Sequence, residues 1–138
     1  MPTIVIETDI DVPAEICFDL MRDPRVHQGT KMEVEGSRKI ELGQRVTFRT
    51  KPRPLTVEVI ECDRPGVFVD DMVKGPFISF RHIHEFNENN GSTRLIDTLI
   101  WESPLSVVGK LADKLIERRI RSIVSDRNRR LKELAQNQ

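Results

Sequence analysis

The chain has 138 residues, enough for a single domain with a substantial core and no need of disulfide staples. Its 22 basic and 22 acidic residues cancel, which excludes a global field for recruiting nucleic acid or anionic lipid. The two cysteines, Cys17 and Cys62, are far apart and belong to no metal-spaced set, so a reduced, cytoplasmic protein is expected.

The opening stretch, Thr3 to Ile10, alternates Ile4, Ile6 and Thr8 against Val5, Glu7 and Asp9, which predicts a first strand. It carries acidic residues rather than a basic leader before a long apolar run, and nothing elsewhere approaches a membrane span, so the chain is expected to be soluble and unexported. Asp11-Val12-Pro13 then opens a helix, with Pro at the first helical position, where its missing N–H costs nothing. From Ala14 to Arg22 only Glu15, Asp19 and Arg22 are charged, and they share one stripe, so Cys17, Phe18, Leu20 and Met21 are expected to be mostly buried. Asp23-Pro24 ends that helix, and Pro24 to Lys31 has room for a second short helical turn.

From Met32 to Trp101 strands alternate with turns. The predicted strands are Glu33 to Lys39, Arg45 to Lys51, Leu55 to Cys62, Val67 to Val73, Phe77 to Phe86 and Thr93 to Glu102. Gly43, Pro52 to Pro54, Pro65-Gly66, Gly75-Pro76 and Asn90-Gly91 separate them, a spacing that implies a meander of antiparallel hairpins. After Ser103-Pro104 the period changes. Leu105, Val108, Ala112, Leu115, Ile116, Ile120, Ile123, Val124, Arg127, Leu131 and Leu134 recur at three- and four-residue steps, predicting one helix from about Leu105 to Ala135. At 1.5 Å per residue it would run about 45 Å and must lie across something large.

The last hairpin carries most of the functional content. Asn-Gly is the strongest signal for a type I′ turn, because both central residues need positive φ. Counting back from Asn89 opposite Ser92 places Phe86 across from Leu95, His84 from Asp97, His82 from Leu99 and Phe80 from Trp101. Alternation puts Ile78, Phe80, His82, His84 and Phe86 on one inward face with Leu95, Asp97, Leu99 and Trp101. The opposite face is mixed, carrying Ser79, Arg81, Glu85, Arg94 and Thr98 among Ile83, Ile96 and Ile100. A slip of one residue would turn both histidines to solvent.

One strand, two short helices, a six-stranded meander and a long terminal helix make an α+β, helix-grip arrangement: a curved antiparallel sheet wrapped around the C-terminal helix. The chain resembles the SRPBCC or START-like superfamily (the Bet v 1-like helix-grip proteins) in its polyketide cyclase/dehydrase-like ligand-binding branch. Asp11-Val12-Pro13-Ala14-Glu15 through Phe18, Phe68-Val69-Asp70, Gly75-Pro76-Phe77, His82 to Phe86, Asp97 and Pro104 carry the resemblance, which spans residues 1–138 as one domain. It implies a small hydrophobic molecule, polyketide-, lipid- or aromatic-like, as partner. Members include carriers, cyclases, dehydratases and lipid or quinone binders, so the fold does not choose among them.

A strongly bent sheet touches a straight helix along only part of its length, which leaves a gap. Its expected lining is Phe80, His82, His84, Leu95, Asp97, Leu99 and Trp101 from the hairpin, Phe18 and Met21 from the first helix, and Leu115, Arg119 and Ile123 from the last. His84 and Asp97 admit two readings. A carboxylate holding one imidazole nitrogen raises the basicity of the other, as a catalytic general base needs; the same pair can simply satisfy itself in a core. With His82, the pair also resembles a two-His, one-carboxylate metal set, though no further ligand motif supports it, and neither metal nor cofactor is expected. Asp70 or Asp71 joins this face according to the parity of the Gly75-Pro76 loop, which the sequence leaves open. Arg127 falls on the apolar stripe of the long helix, where it can contact an anionic ligand group, pair with a carboxylate, or snorkel to the rim, the commonest outcome.

The basic residues of that helix, Arg118, Arg119, Arg121, Arg129, Arg130 and Lys132, are interleaved with Glu117, Asp126 and Glu133 and no aromatic, which reads as a solvated face. Arg49, Lys51 and Arg53 form a small basic loop near the expected cavity mouth. There is no Gly-rich phosphate loop, Gly-x-Ser-x-Gly elbow, Walker lysine or paired-Cys zinc motif. The expectation is therefore a carrier or sensor, monomeric or homodimeric, with a cyclase or dehydratase using His84 and Asp97 as the alternative. If side chains filled the gap, a partner module would be the remaining option.

Overall fold

The computed structural model describes residues 1–27, 32–34, 41–49, 53–104 and 108–137. Strand β1 (Thr3–Ile10) leads into helix α1 (Ala14–Met21) and a 3-10 turn (Pro24–His27). Strands β2 (Met32–Val34), β3 (Arg45–Phe48), β4 (Leu55–Asp63), β5 (Val67–Lys74), β6 (Ser79–Asn89) and β7 (Ser92–Glu102) follow, and α2 (Val108–Gln136) closes the chain. The described strands form one antiparallel sheet ordered β1-β7-β6-β5-β4-β3-β2. β1 crosses over to pair with β7, so the meander is flanked by the strand that began the chain.

The local chemistry explains the elements and their small departures from expectation. Pro13 is the N-cap of α1 rather than its first residue, and it has no side-chain cap of its own. Instead the Glu88 carboxylate at the end of β6 accepts a hydrogen bond from the Ala14 N–H at 2.7 Å, supplying the negative charge a helix N-terminus favours. Register shifts in the β4–β5 ladder leave Ile60 unpaired, and such bulges bend a strand and sharpen its twist. Ile78, expected on the inner face, is 57 % exposed in the turn before β6, which starts two residues later than predicted. Leu105, Lys51, most of the predicted strand Glu33 to Lys39 and the end of the predicted turn at Pro24 to Lys31 lie outside the described residues.

The Asn90-Gly91 turn sets the register as expected: φ is 55° at Asn90 and 81° at Gly91, and Asn89 pairs with Ser92, His84 with Asp97 and Phe80 with Trp101. A Cβ on Gly91 would meet nothing within 4 Å, so only its backbone angle resists substitution. Gly91→Ala is expected to cost about 1 kcal/mol, read as a lower urea midpoint with an unchanged m-value.

Two apolar clusters hold the helix to the sheet. One joins α1 to the C-terminal half of α2 through Phe18, Met21, Phe68, Phe86, Leu95 and Leu131; the other joins the middle of α2 to the sheet through Val57, Val59, Phe80, Leu99, Trp101 and Val124. Among the described residues no helix is long and apolar enough to cross a membrane.

Candidate functional site

A polar belt crosses the molecule between the two clusters. On β7 it is Asp97, between Leu95 and Leu99; on β6 it is His82 and His84, between Phe80 and Phe86; on α2 it is Arg127 and Asn128, between Val124 and Leu131. All five polar side chains are buried.

His84 faces Asp97 in the ladder as expected, but it does not make the short contact, which corrects the expectation that Asp97 holds the His84 imidazole. Asp97 Oδ1 accepts from His82 Nε2 and from Arg127 Nη2, each at 2.6 Å, and lies 4.0 Å from His84 Nε2. Diagonal neighbours in an antiparallel pair come within reach of long side chains, and His82 is the diagonal neighbour here. The His84 ring is held elsewhere, stacked between Phe68 at 3.8 Å and His82 at 3.7 Å. Asn128 Nδ2 donates to Asp97 Oδ2 at 2.8 Å and to Thr8 Oγ1 at 3.0 Å, while Arg127 Nε donates to Asn128 Oδ1.

These bonds place the protons. Burial pushes the Asp97 carboxyl up, but the charge of Arg127 and the His82 hydrogen bond outweigh it and hold the carboxyl well below its ordinary range. An ionised carboxylate only accepts, so His82 carries its proton on Nε2 and leaves a lone pair on Nδ1. Arg127 only donates, and its Nη1 sits 3.3 Å from His84 Nε2, so His84 carries its proton on Nδ1 and donates it to the Phe68 carbonyl at 3.2 Å. Burial lowers the pKa of both histidines, helped by the Arg127 charge and, at His84, by His82, against the opposing pull of Asp97, so above the ordinary 6.5 both are neutral.

Beside this belt lies a cavity of about 580 Å³ between the sheet and α2. Val46, Phe48, Leu55, Val57, Phe77 and Phe80 wall it from the sheet side, and Ile116, Ile120 and Val124 from the helix. His27, Asp70, His82, His84 and Arg127 supply its polar surface, and Arg49 and Arg119 line it as well. Arg53 instead donates to the Gly75 carbonyl at 2.6 Å, and Lys51 lies outside the described residues. The loop parity resolves in favour of Asp70, which pairs with His82 across the ladder and faces the cavity, whereas Asp71 pairs with Arg81 and binds its guanidinium through two bonds of 2.8 Å.

Of the residues expected to line the gap, the structure brings Phe80, His82, His84, Leu99, Arg119 and Ile123 to the cavity. Phe18, Met21, Leu95 and Trp101 do not reach it; each is wholly buried in an apolar cluster, because α1 packs on the far half of α2. Asp97 is fully buried behind His82 and Arg127, and Leu115 is 68 % exposed on the outer side of α2. Arg127 does not snorkel; it is 7 % exposed and pairs with Asp97. Asn128 and His27 were not singled out in the sequence. The signal for Asn128 was present, since Asp97 and Arg127-Asn128 interrupt apolar stripes at matching levels. His27 had none: it is buried by the 3-10 turn, donates to the Met21 carbonyl at 2.9 Å, and burial lowers its pKa to about 4.

Asp70, His82 and His84 each present an atom able to ligate a metal, all within 4.8 Å of one another. The Arg127 guanidinium stands against this set. Its charge repels a cation, and its bond to His84 Nε2 leaves the proton on the nitrogen nearer Asp70, 3.9 Å away. As arranged, the trio presents hydrogen-bonding atoms to the cavity.

No family model and no curated protein matches the chain. Solved structures do. A protein from Thermus thermophilus is 19 % identical, with a TM-score of 0.74 over 99 % of this chain and 98 % of that one. Norcoclaurine synthase from Thalictrum flavum, in complex with dopamine and hydroxybenzaldehyde, is 13 % identical, with a TM-score of 0.76 over 99 % of this chain and 87 % of that one. A START superfamily protein from Mycobacterium smegmatis is 14 % identical, with a TM-score of 0.72 over 96 % and 98 % of the two chains. With the long helix set against an antiparallel sheet, the chain therefore shares the helix-grip fold of these structures.

Proposed function

We propose that residues 1–138 act as one ligand-binding domain, a carrier or sensor that holds a small hydrophobic molecule between the sheet and α2. The cavity carries this reading: its volume lies in the range of small-molecule sites, and its walls are mostly apolar with a few convergent polar groups. Similarity in fold to a synthase that binds dopamine and hydroxybenzaldehyde supports it. Ile120→Trp projects a large ring into the space from a partly buried helix position and is expected to weaken binding of methylnaphthalene, an apolar probe, by about tenfold or more, measured by calorimetry. Unchanged affinity, with the far-UV spectrum intact, would remove the cavity from consideration.

One observation favours a second reading, a proton-moving enzyme of the cyclase or dehydratase type. Asp97 fixes the tautomer of an imidazole whose other nitrogen bears a lone pair, the arrangement of a general base. The base would then be His82 rather than the expected His84. Compounds that co-purify with the protein separate the readings: release unchanged from wild type and from His82→Ala supports the carrier, whereas turnover lost in His82→Ala with binding retained supports the enzyme.

A further inference from the structure

Among the described residues, His82 Nδ1 and the Asp70 carboxyl face the cavity beside the polar belt without a hydrogen bond. Among the described residues every side-chain nitrogen or oxygen that is fully shielded has a partner. His82 Nδ1 has none among the described residues, so it is not fully shielded and opens to the cavity that His82 lines. The Asp70 carboxyl, 15 % exposed, accepts no hydrogen bond among the described residues; His84 Nδ1 lies 3.9 Å from it, beyond hydrogen-bond distance. A buried carboxyl without a partner is costly to a fold, so one that persists on a cavity wall points to an occupant that satisfies it.

We infer that Asp70 and His82 Nδ1 form a subsite for a hydroxyl group, and that the occupant is an uncharged phenol or alcohol on an apolar skeleton; this rests on the cavity reading above. The two residues face each other across the β5–β6 ladder. Bonds of about 2.7–2.8 Å on each side let a single hydroxyl oxygen bridge two such groups. The ligand O–H donates to the His82 lone pair, and the same oxygen accepts from protonated Asp70, so one functional group answers both. Burial favours that protonated form, raising the Asp70 pKa to about 7. Charged alternatives fit worse. A carboxylate could accept from protonated Asp70 but would set negative charge against the His82 lone pair, which cannot donate, while the nearby Arg127 guanidinium is already bonded to Asp97. An ammonium would sit beside the Arg127 guanidinium and would require Asp70 to be ionised.

The test is calorimetric titration of the protein with four probes on one skeleton: naphthol, methylnaphthalene, naphthoate and naphthylmethylammonium. Naphthol is expected to bind about tenfold more tightly than methylnaphthalene, and both ions more weakly than methylnaphthalene. Asp70→Asn keeps a donor and an acceptor and is expected to retain the naphthol preference, whereas Asp70→Val is expected to erase it without weakening methylnaphthalene. Naphthol no tighter than methylnaphthalene, or an ion binding best, overturns the hydroxyl subsite and leaves the cavity reading standing. Failure of all four probes overturns both. The wild-type comparison decides the matter even if Asp70→Val does not fold.

Discussion

Replacing Asp97 with Ala is expected to lower the stability of the protein by about 3–5 kcal/mol, the cost of breaking a buried ion pair by removing one partner. Asp97 accepts from His82, Arg127 and Asn128, and its removal leaves the Arg127 guanidinium buried with no compensating charge. Against a typical total of about 5–15 kcal/mol, that loss is large. Equilibrium urea unfolding would show it as a midpoint lowered by about 2 M. The double variant Asp97→Leu with Arg127→Met separates the pair from its desolvation cost. If the damage is an orphaned charge, the double variant recovers most of the loss and the coupling is strongly non-additive. Single and double variants that fall equally would show that shape, not charge, holds the belt together. The pH dependence has a definite sign as well. The folded-state pKa of Asp97 lies below its ordinary 3.8, so its contribution is present above that value and is lost as the pH falls toward the folded-state pKa.

Asp70→Asn is expected to do the opposite and stabilise the protein above neutral pH. Burial raises the Asp70 pKa from an ordinary 3.8 to about 7, with Arg127 offsetting part of the rise and Asp71 adding to it. Below 3.8 the carboxyl is protonated in both the folded and unfolded states. Between 3.8 and about 7 the folded protein binds the extra proton, so stability falls as the pH rises through this window and levels off above it. At 1.36 kcal/mol per unit the penalty above the window is on the order of 4 kcal/mol. The groups facing Asp70 do not reverse this sign, since burial lowers the pKa of His82 and His84 and Arg127 is committed to Asp97. Asn carries no such penalty, so its advantage is expected to grow from near zero at about pH 4 to its full value at about pH 8. Chemical denaturation at both pH values measures the difference. Equal ΔΔG at the two would place the Asp70 carboxyl in water rather than against the cavity.

Most of the described elements and the hairpin pairing of β6 with β7 were legible in the chain itself because they depend on local chemistry, whereas the pairing of β1 with β7 joins the two ends of the chain. Asn90-Gly91 needs only its own backbone preferences to form a tight turn, and the two-residue period of β6 and β7 then dictates which side chains share a face. The change to a three- and four-residue period after Pro104 announces the long helix in the same way. Lining residues were less legible. Phe18, Met21, Leu95 and Trp101 have the same apolar character as Phe80 and Leu99, and only the position of α2 over the sheet decides which of them meets open space. Leu115 illustrates the point from the helix side, since a stripe read at three- and four-residue steps is wider than the strip the sheet covers.

The sequence by itself determined the described strands from Arg45 onward to within a few residues, the register of the last hairpin and the long helix, because hydrophobic period and turn chemistry act between neighbours in the chain. Tertiary structure alone decided that Asp97 binds His82 and Arg127 rather than His84, that Asp70 and not Asp71 enters the cavity, and that His27 joins its wall. Those outcomes turn on sheet twist, loop parity and the seating of α2, which bring together groups distant in the chain within a few ångströms, where hydrogen bonding is decided.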